Sequence, residues 1–194
     1  MTSNRLEAFS DGVLAIIITI MVLELSVPEE YSLAALWHTS GLGLLTYLLS
    51  FVYIGIYWNN HHHLFQVSER VNGAVLWANL SLLFMLSLLP FTTSWMDESH
   101  LAEIPVVVYG VNLLGAGTAY YVLEHAAARI PGQGERMREV FGQTIKERLS
   151  VVLYLVGIVV AALVTPWLGL AVFTVVALIW VIPDRRVERY LAEG

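Results

Sequence analysis

Long uncharged runs alternate with short charged clusters, and the runs set the elements. Arg5-Leu-Glu-Ala-Phe9-Ser10-Asp11-Gly12 leads into an apolar run that ends at Glu24. Leu33 to Trp58, Val71 to Met96 and Ile104 to Leu123 then carry no Asp, Glu, Lys or Arg. As a helix, about 20 apolar residues cross a bilayer core of about 30 Å. Leu149 to Ile182 is also uncharged, but at helical rise it would reach about 51 Å, too long for one crossing. Thr165-Pro166 divides it into a helical hairpin, because proline ends a helix that precedes it. The pattern predicts an all-α integral membrane protein of six spans, at about 5–27, 33–60, 71–96, 104–126, 149–165 and 167–183, in a single domain over 1–194. Pro28, in the acidic turn Ser26-Val-Pro28-Glu29-Glu30, should stop the first helix, and Pro90 should kink the third.

The first span is unusual. Only twelve uncharged residues separate Asp11 from Glu24, which puts the two carboxylates roughly 20 Å apart on one helix. One of them therefore lies at hydrocarbon depth, where an ionisable group faces protein or a water-filled cavity. This predicts a central helix shielded from lipid, able to line a permeation path. Gly12, Ile16, Ile20, Leu23 and Val27 form one helical stripe bordered by Thr19. Two readings of the stripe stand: packing against a neighbouring helix, or copies of it meeting on a symmetry axis as dry apolar rings that gate by dewetting. Asp11 points away from the stripe, toward contacts between helices. Glu24 lies nearer to it, at the outer end, where it could draw cations to a mouth.

Charge then orients the spans. With six of them, every Lys and Arg falls on one side: Arg5, Arg70, the five between Arg129 and Arg148, and Arg185, Arg186 and Arg189. The positive-inside rule places that side, and both termini, in the cytoplasm. Pro131-Gly132-Gln133-Gly134 reads as a turn, and the rest of 129–148 as a short surface helix. Gly110, Gly115 and Gly117 permit close helix contact in the fourth span. Apolar residues make up 57 % of the chain and charged residues 13 %, against about 25 % charged in a soluble domain. A net charge of −6 excludes nucleic acid as a partner. With no cysteine, there is no disulfide, thiolate nucleophile or cysteine-bound metal. No cleavable leader is apparent, so the first span should remain in the mature protein. No inverted repeat is visible, which argues against a carrier built on one.

Polar groups gather at one depth. Arg5, Ser10 and Asp11 lie at the cytoplasmic end of the first span, His61, His62 and His63 at that end of the second, and Trp77 and Asn79 at that end of the third. They suggest a hydrogen-bonded and charge-paired knot fastening three helices, since a buried charge needs partners. A metal site and a pH sensor are the alternatives. Consecutive histidines point about 100° apart on a helix. Trp58 shares a face with His62, and His61 with Phe65, but no His-x-x-x-His pair exists. Nucleotide-binding, Gly-x-Ser-x-Gly and carbonyl-filter motifs are absent. No catalytic residue, cofactor or bound metal is expected.

Arg5-x-x-x-Phe9-Ser10-Asp11-Gly12 resembles the signature of the transmembrane-protein-175 family of potassium-permeable channels. Tyr57-Trp58-x-x-His61-His62-x-Leu64-Phe65, Trp77-x-Asn79-Leu80 and Leu88-Leu89-Pro90-Phe91 are similar to that family too. The resemblance covers the first three spans; the rest agree in number and placement. It implies a six-helix, single-repeat subunit in a homotetramer, with the first helix lining a central pore for monovalent cations. On it, Ile16 would form the narrowest ring, Ile20 and Leu23 further apolar rings, and Thr19 a hydroxyl layer. Arg5, Phe9, Ser10, Asp11, His61, His62, Trp77 and Asn79 would make the network holding the pore helices. K+ is then the permeant ion, with modest selectivity over Na+, and the location is a prokaryotic plasma membrane. A proton- or cation-coupled carrier using Asp11 or Glu24, and a His-dependent membrane enzyme, are the competing functions.

Overall fold

The uncharged runs become helices because a chain in hydrocarbon must satisfy its backbone internally. The computed structural model describes residues 3–68, 70–135, 137 and 145–181. Its elements are α1 (Ser3–Leu23), α2 (Leu33–Val67), α3 (Gly73–Ser87), α4 (Leu89–Glu98), α5 (Glu103–Ala128), α6 (Ile145–Leu163) and α7 (Pro166–Val181). α3 and α4 form one rod from Gly73 to Glu98, bent at Leu88 beside Pro90, so six rods result. Four of the rods are long and apolar enough to span a bilayer. α6 and α7 are the two arms of the hairpin divided at Pro166. Arg136, Arg138, Arg185, Arg186 and Arg189, and most of the surface helix expected in 129–148, lie outside the described residues.

Local chemistry fixes the ends. The Ser32 hydroxyl caps α2 by accepting from the Ala35 amide at 3.1 Å, and Asn72 caps α3 through Val75 at 3.0 Å. α1 already ends at Leu23, ahead of Pro28. α2 runs for 35 residues, about 52 Å, so it extends well past a core of about 30 Å. The six tryptophans fall in two groups, Trp37, Trp95 and Trp167 toward one end of the bundle and Trp58, Trp77 and Trp180 toward the other. Such belts mark the two interfaces of a bilayer, where an amphipathic ring meets headgroups.

Packing divides the molecule. α5 is the hub of one half, against α3, α6 and α7, while α1 packs on α2, α3 and α4. The core is built round the Phe173 ring of α7, which lies against Gly110 of α5 and Gly157 of α6. A Cβ at Gly157 would stand 2.5 Å from Phe173 Cε1. Small residues let helices approach where lipid supplies no hydrophobic drive. Tyr53 of α2 donates to the Phe173 carbonyl at 2.6 Å. Ser50 bonds Thr93 at 2.7 Å and Tyr109 at 3.0 Å, tying α2, α4 and α5 at mid-depth.

Candidate functional site

α1 turns two different faces outward and inward. Ser3, Leu6, Ser10, Leu14, Ile17 and Met21 are buried against the chain's other helices. The stripe of Gly12, Ile16, Ile20, Leu23 and Val27 is not: Ile16 is 59 % exposed, Ile20 42 % and Leu23 81 %. Packing against a neighbour in the same chain is therefore not what the stripe does. Nor is α1 enclosed by the other helices, as expected of a central helix; they cover one face only. Thr19 is exposed beside the stripe, and its hydroxyl donates to the Ile16 carbonyl at 2.9 Å, which leaves its oxygen able to accept.

Behind this face, three fully buried polar side chains link three helices. Ser10 of α1 donates to the Leu6 carbonyl at 2.9 Å. Its oxygen then accepts from Asn79 Nδ2 of α3 at 3.0 Å. That leaves Asn79 Oδ1 to face His61 Nε2 of α2, at 2.8 Å. Each donor fixes the next, so His61 carries its proton on Nε2, and its buried Nδ1 has no partner among the described residues. A buried polar group is tolerable only when bonded, so this chain of bonds aligns α1, α2 and α3 in one register.

A second ladder runs along the α1–α2 seam. His62 Nδ1 meets Glu7 Oε1 at 2.6 Å, and Trp58 Nε1 donates to Asp11 Oδ1 at 3.0 Å. The Trp58 and His62 rings stack at 6.1 Å, while His61 meets Phe65 edge-on at 4.7 Å. Glu7 is the member that the sequence reading missed. Its spacing of four from Asp11 matches the spacing of four from Trp58 to His62 on an antiparallel neighbour, and that match was the available signal.

Arg5, Phe9 and Trp77 are not gathered into these bonds. All three are exposed on the single chain. Neighbouring histidines diverge, His61 toward Asn79 and His62 toward Glu7, and no three metal-ligating side chains converge among the described residues. At the other end of α1, Glu24 lies within 3.4 Å of the Ser94 hydroxyl, with Asp97 beside the same shallow recess.

The described residues form six apolar helical rods, four of them long enough to cross a bilayer, and define a polytopic membrane protein. Residues 5–90 match the family described as endosomal/lysosomal potassium channel TMEM175. A potassium channel of Chryseobacterium sp. (strain P1-3) is 50 % identical over 194 residues, the whole of both chains. A potassium channel of Chamaesiphon minutus is 33 % identical over 191 residues, covering 91 % of this chain and 92 % of that one. The crystal structure of a lysosomal potassium-selective channel TMEM175 homolog from Chamaesiphon minutus shares the fold with a TM-score of 0.77 at 30 % identity, over 92 % of this chain and 96 % of that chain. The chain belongs to the TMEM175 family, a family of channels and not of enzymes.

Proposed function

We propose that the protein is the subunit of a homotetrameric, potassium-permeable cation channel of the prokaryotic plasma membrane, with the exposed face of α1 lining its pore. The single observation that carries this is the division of α1 into a buried stripe and an exposed apolar stripe. The names of the two bacterial relatives support it. One six-helix domain supplies one α1, and four copies surround an axis. The termini are cytoplasmic, because Arg5, Arg70, Arg129, Lys146 and Arg148 all fall at the end of the bundle that holds both histidine ladders.

In this arrangement Ile16 forms the narrowest ring, and Ile20 and Leu23 follow toward the outside. Apolar rings cannot replace a hydration shell as carbonyls do. Potassium sheds water more readily than sodium, so the constriction favours potassium modestly, with the Thr19 oxygens as the nearest polar relief. Glu24 concentrates cations at the outer mouth. The Ser10–Asn79–His61 bonds and the Glu7–His62 and Asp11–Trp58 pairs hold α1 at its radius. Arg5, Phe9 and Trp77 serve contacts between subunits, which accounts for their exposure on one chain.

The lack of cysteine offers a direct test. Single cysteines placed at Ile16, Ile20 or Leu23 should react with a charged, water-borne methanethiosulfonate and block current. Cysteines at Leu14 or Ile17, on the buried stripe, should not. A lipid-facing stripe would give no reaction at any of the first three, and would end the proposal.

A further inference from the structure

Away from α1, a cavity of about 350 Å³ opens between α2, α5, α6 and α7. That is within the range of small-molecule sites. Its walls are mostly apolar and aromatic, and among them is Glu124 of α5. Glu124 is 8 % exposed and has no hydrogen bond or ion pair among the described residues. A carboxyl at that burial is held neutral or ionises against a cation, and an ionisable group within a membrane helix is a functional position by default.

Three of the neighbouring donors are committed elsewhere. Tyr120 donates its hydroxyl to the Asn60 carbonyl at 3.0 Å, Trp180 its Nε1–H to Ser150 Oγ at 2.7 Å, and Thr118 its hydroxyl to the Leu114 carbonyl at 2.8 Å. Glu124 lines the space, and two further features favour a cation there. Glu124 is four residues from the end of α5 at Ala128, where helix carbonyls place partial negative charge. The Tyr57 and Tyr120 rings, with centroids 6.1 Å apart, both line the cavity, and aromatic rings attract cations. Arg148 is the opposing charge in the lining.

We infer that this cavity is a binding site for an amphipathic organic cation, an ammonium head on an apolar body, with Glu124 as the counterion and tyrosine rings around the head. The site is separate from the α1 face and does not depend on the channel reading. It adjoins that face through α2, which carries Tyr57 on the cavity side and His61, His62 and Trp58 on the α1 side.

The test is calorimetric titration of the purified full chain in dodecyl maltoside, an uncharged detergent, with benzyltriethylammonium. Saturable binding of one ion per chain is expected, weakened at least about tenfold by Glu124→Gln, equal to about 1.4 kcal/mol. Ile16→Asn should bind as wild type does. Gly117→Leu tests the same site without touching its charge, since a Cβ there meets only Tyr57 and Tyr154 at ordinary contact distances and a larger side chain enters the cavity; it too should abolish binding. If Glu124→Gln does not yield folded protein, Gly117→Leu decides alone. No saturable binding, wild-type affinity in Glu124→Gln or in Gly117→Leu, or preferential binding of benzenesulfonate would overturn the inference.

Discussion

At the residue scale, Asn79 carries the most structural consequence per atom. Its amide accepts from His61 and donates to Ser10, both buried, and thereby joins three helices. Asn79→Ala would leave His61 Nε2 without an acceptor, and Ser10 would keep only its bond to Leu6. A buried donor left unmade costs about 1–3 kcal/mol. Thermal unfolding of the purified variant should therefore begin several degrees lower, whereas Ser81→Ala, on an exposed side chain of the same helix, should leave it nearly unchanged. Equal transitions for both variants would remove the buried bonds from the account. The components of this triad were legible as a cluster at one depth, because polar residues stand out in apolar runs. Which of them met was not legible. Arg5 and Trp77 looked equivalent to Asn79 along the sequence, and only the rotation of each helix about its axis separates buried from exposed. Glu7 was hidden for the converse reason: an exposed-looking acid finds its partner only when α1 and α2 are set side by side.

At the element scale, the chain's glycines decide how closely α5, α6 and α7 approach. A Cβ at Gly110 would overlap the Phe173 ring and stand 2.8 Å from Ile158 Cγ1, with the ring fully buried and unable to withdraw freely. Overpacking of this kind costs about 1–3 kcal/mol. Gly110→Ala should lower the unfolding temperature. Gly12→Ala, where nothing lies within 4 Å of the added atom, should raise it slightly or leave it unchanged. The reverse order would mean that α7 does not sit on α5 as described. The rods were readable from uncharged runs, the break beside Pro90 from the lost amide, and the α6–α7 hairpin from the length of its run together with Pro166. α1 was read as a central helix shielded from lipid, and the chain's own helices cover one of its faces only. Its apolar stripe was found, but periodicity reports that a face exists and not what covers it. A single chain buries the other stripe, through Leu6, Ser10, Leu14 and Ile17.

At the scale of the whole molecule, that uncovered stripe is the central fact. In the proposed tetramer it is neither lipid-facing nor packed but wet, and narrow enough at Ile16 for an apolar side chain to control passage. The purified assembly should then have four times the 21.6 kDa of one chain, once detergent is subtracted by light scattering. The ladders on the N-terminal half of α1 and the Glu24–Ser94 contact at its other end hold both ends of the same helix. A change of side chain midway between them should alter the permeation path with little effect on its frame.

The most direct measurement is planar-bilayer recording of the purified protein in asymmetric potassium and sodium, wild type beside Ile16→Asn. Unitary currents reversing toward the potassium potential in wild type, with raised conductance or lost selectivity in the variant, are what a constriction at Ile16 predicts. Currents identical in the two proteins would contradict it, and would place the pore somewhere other than the exposed face of α1.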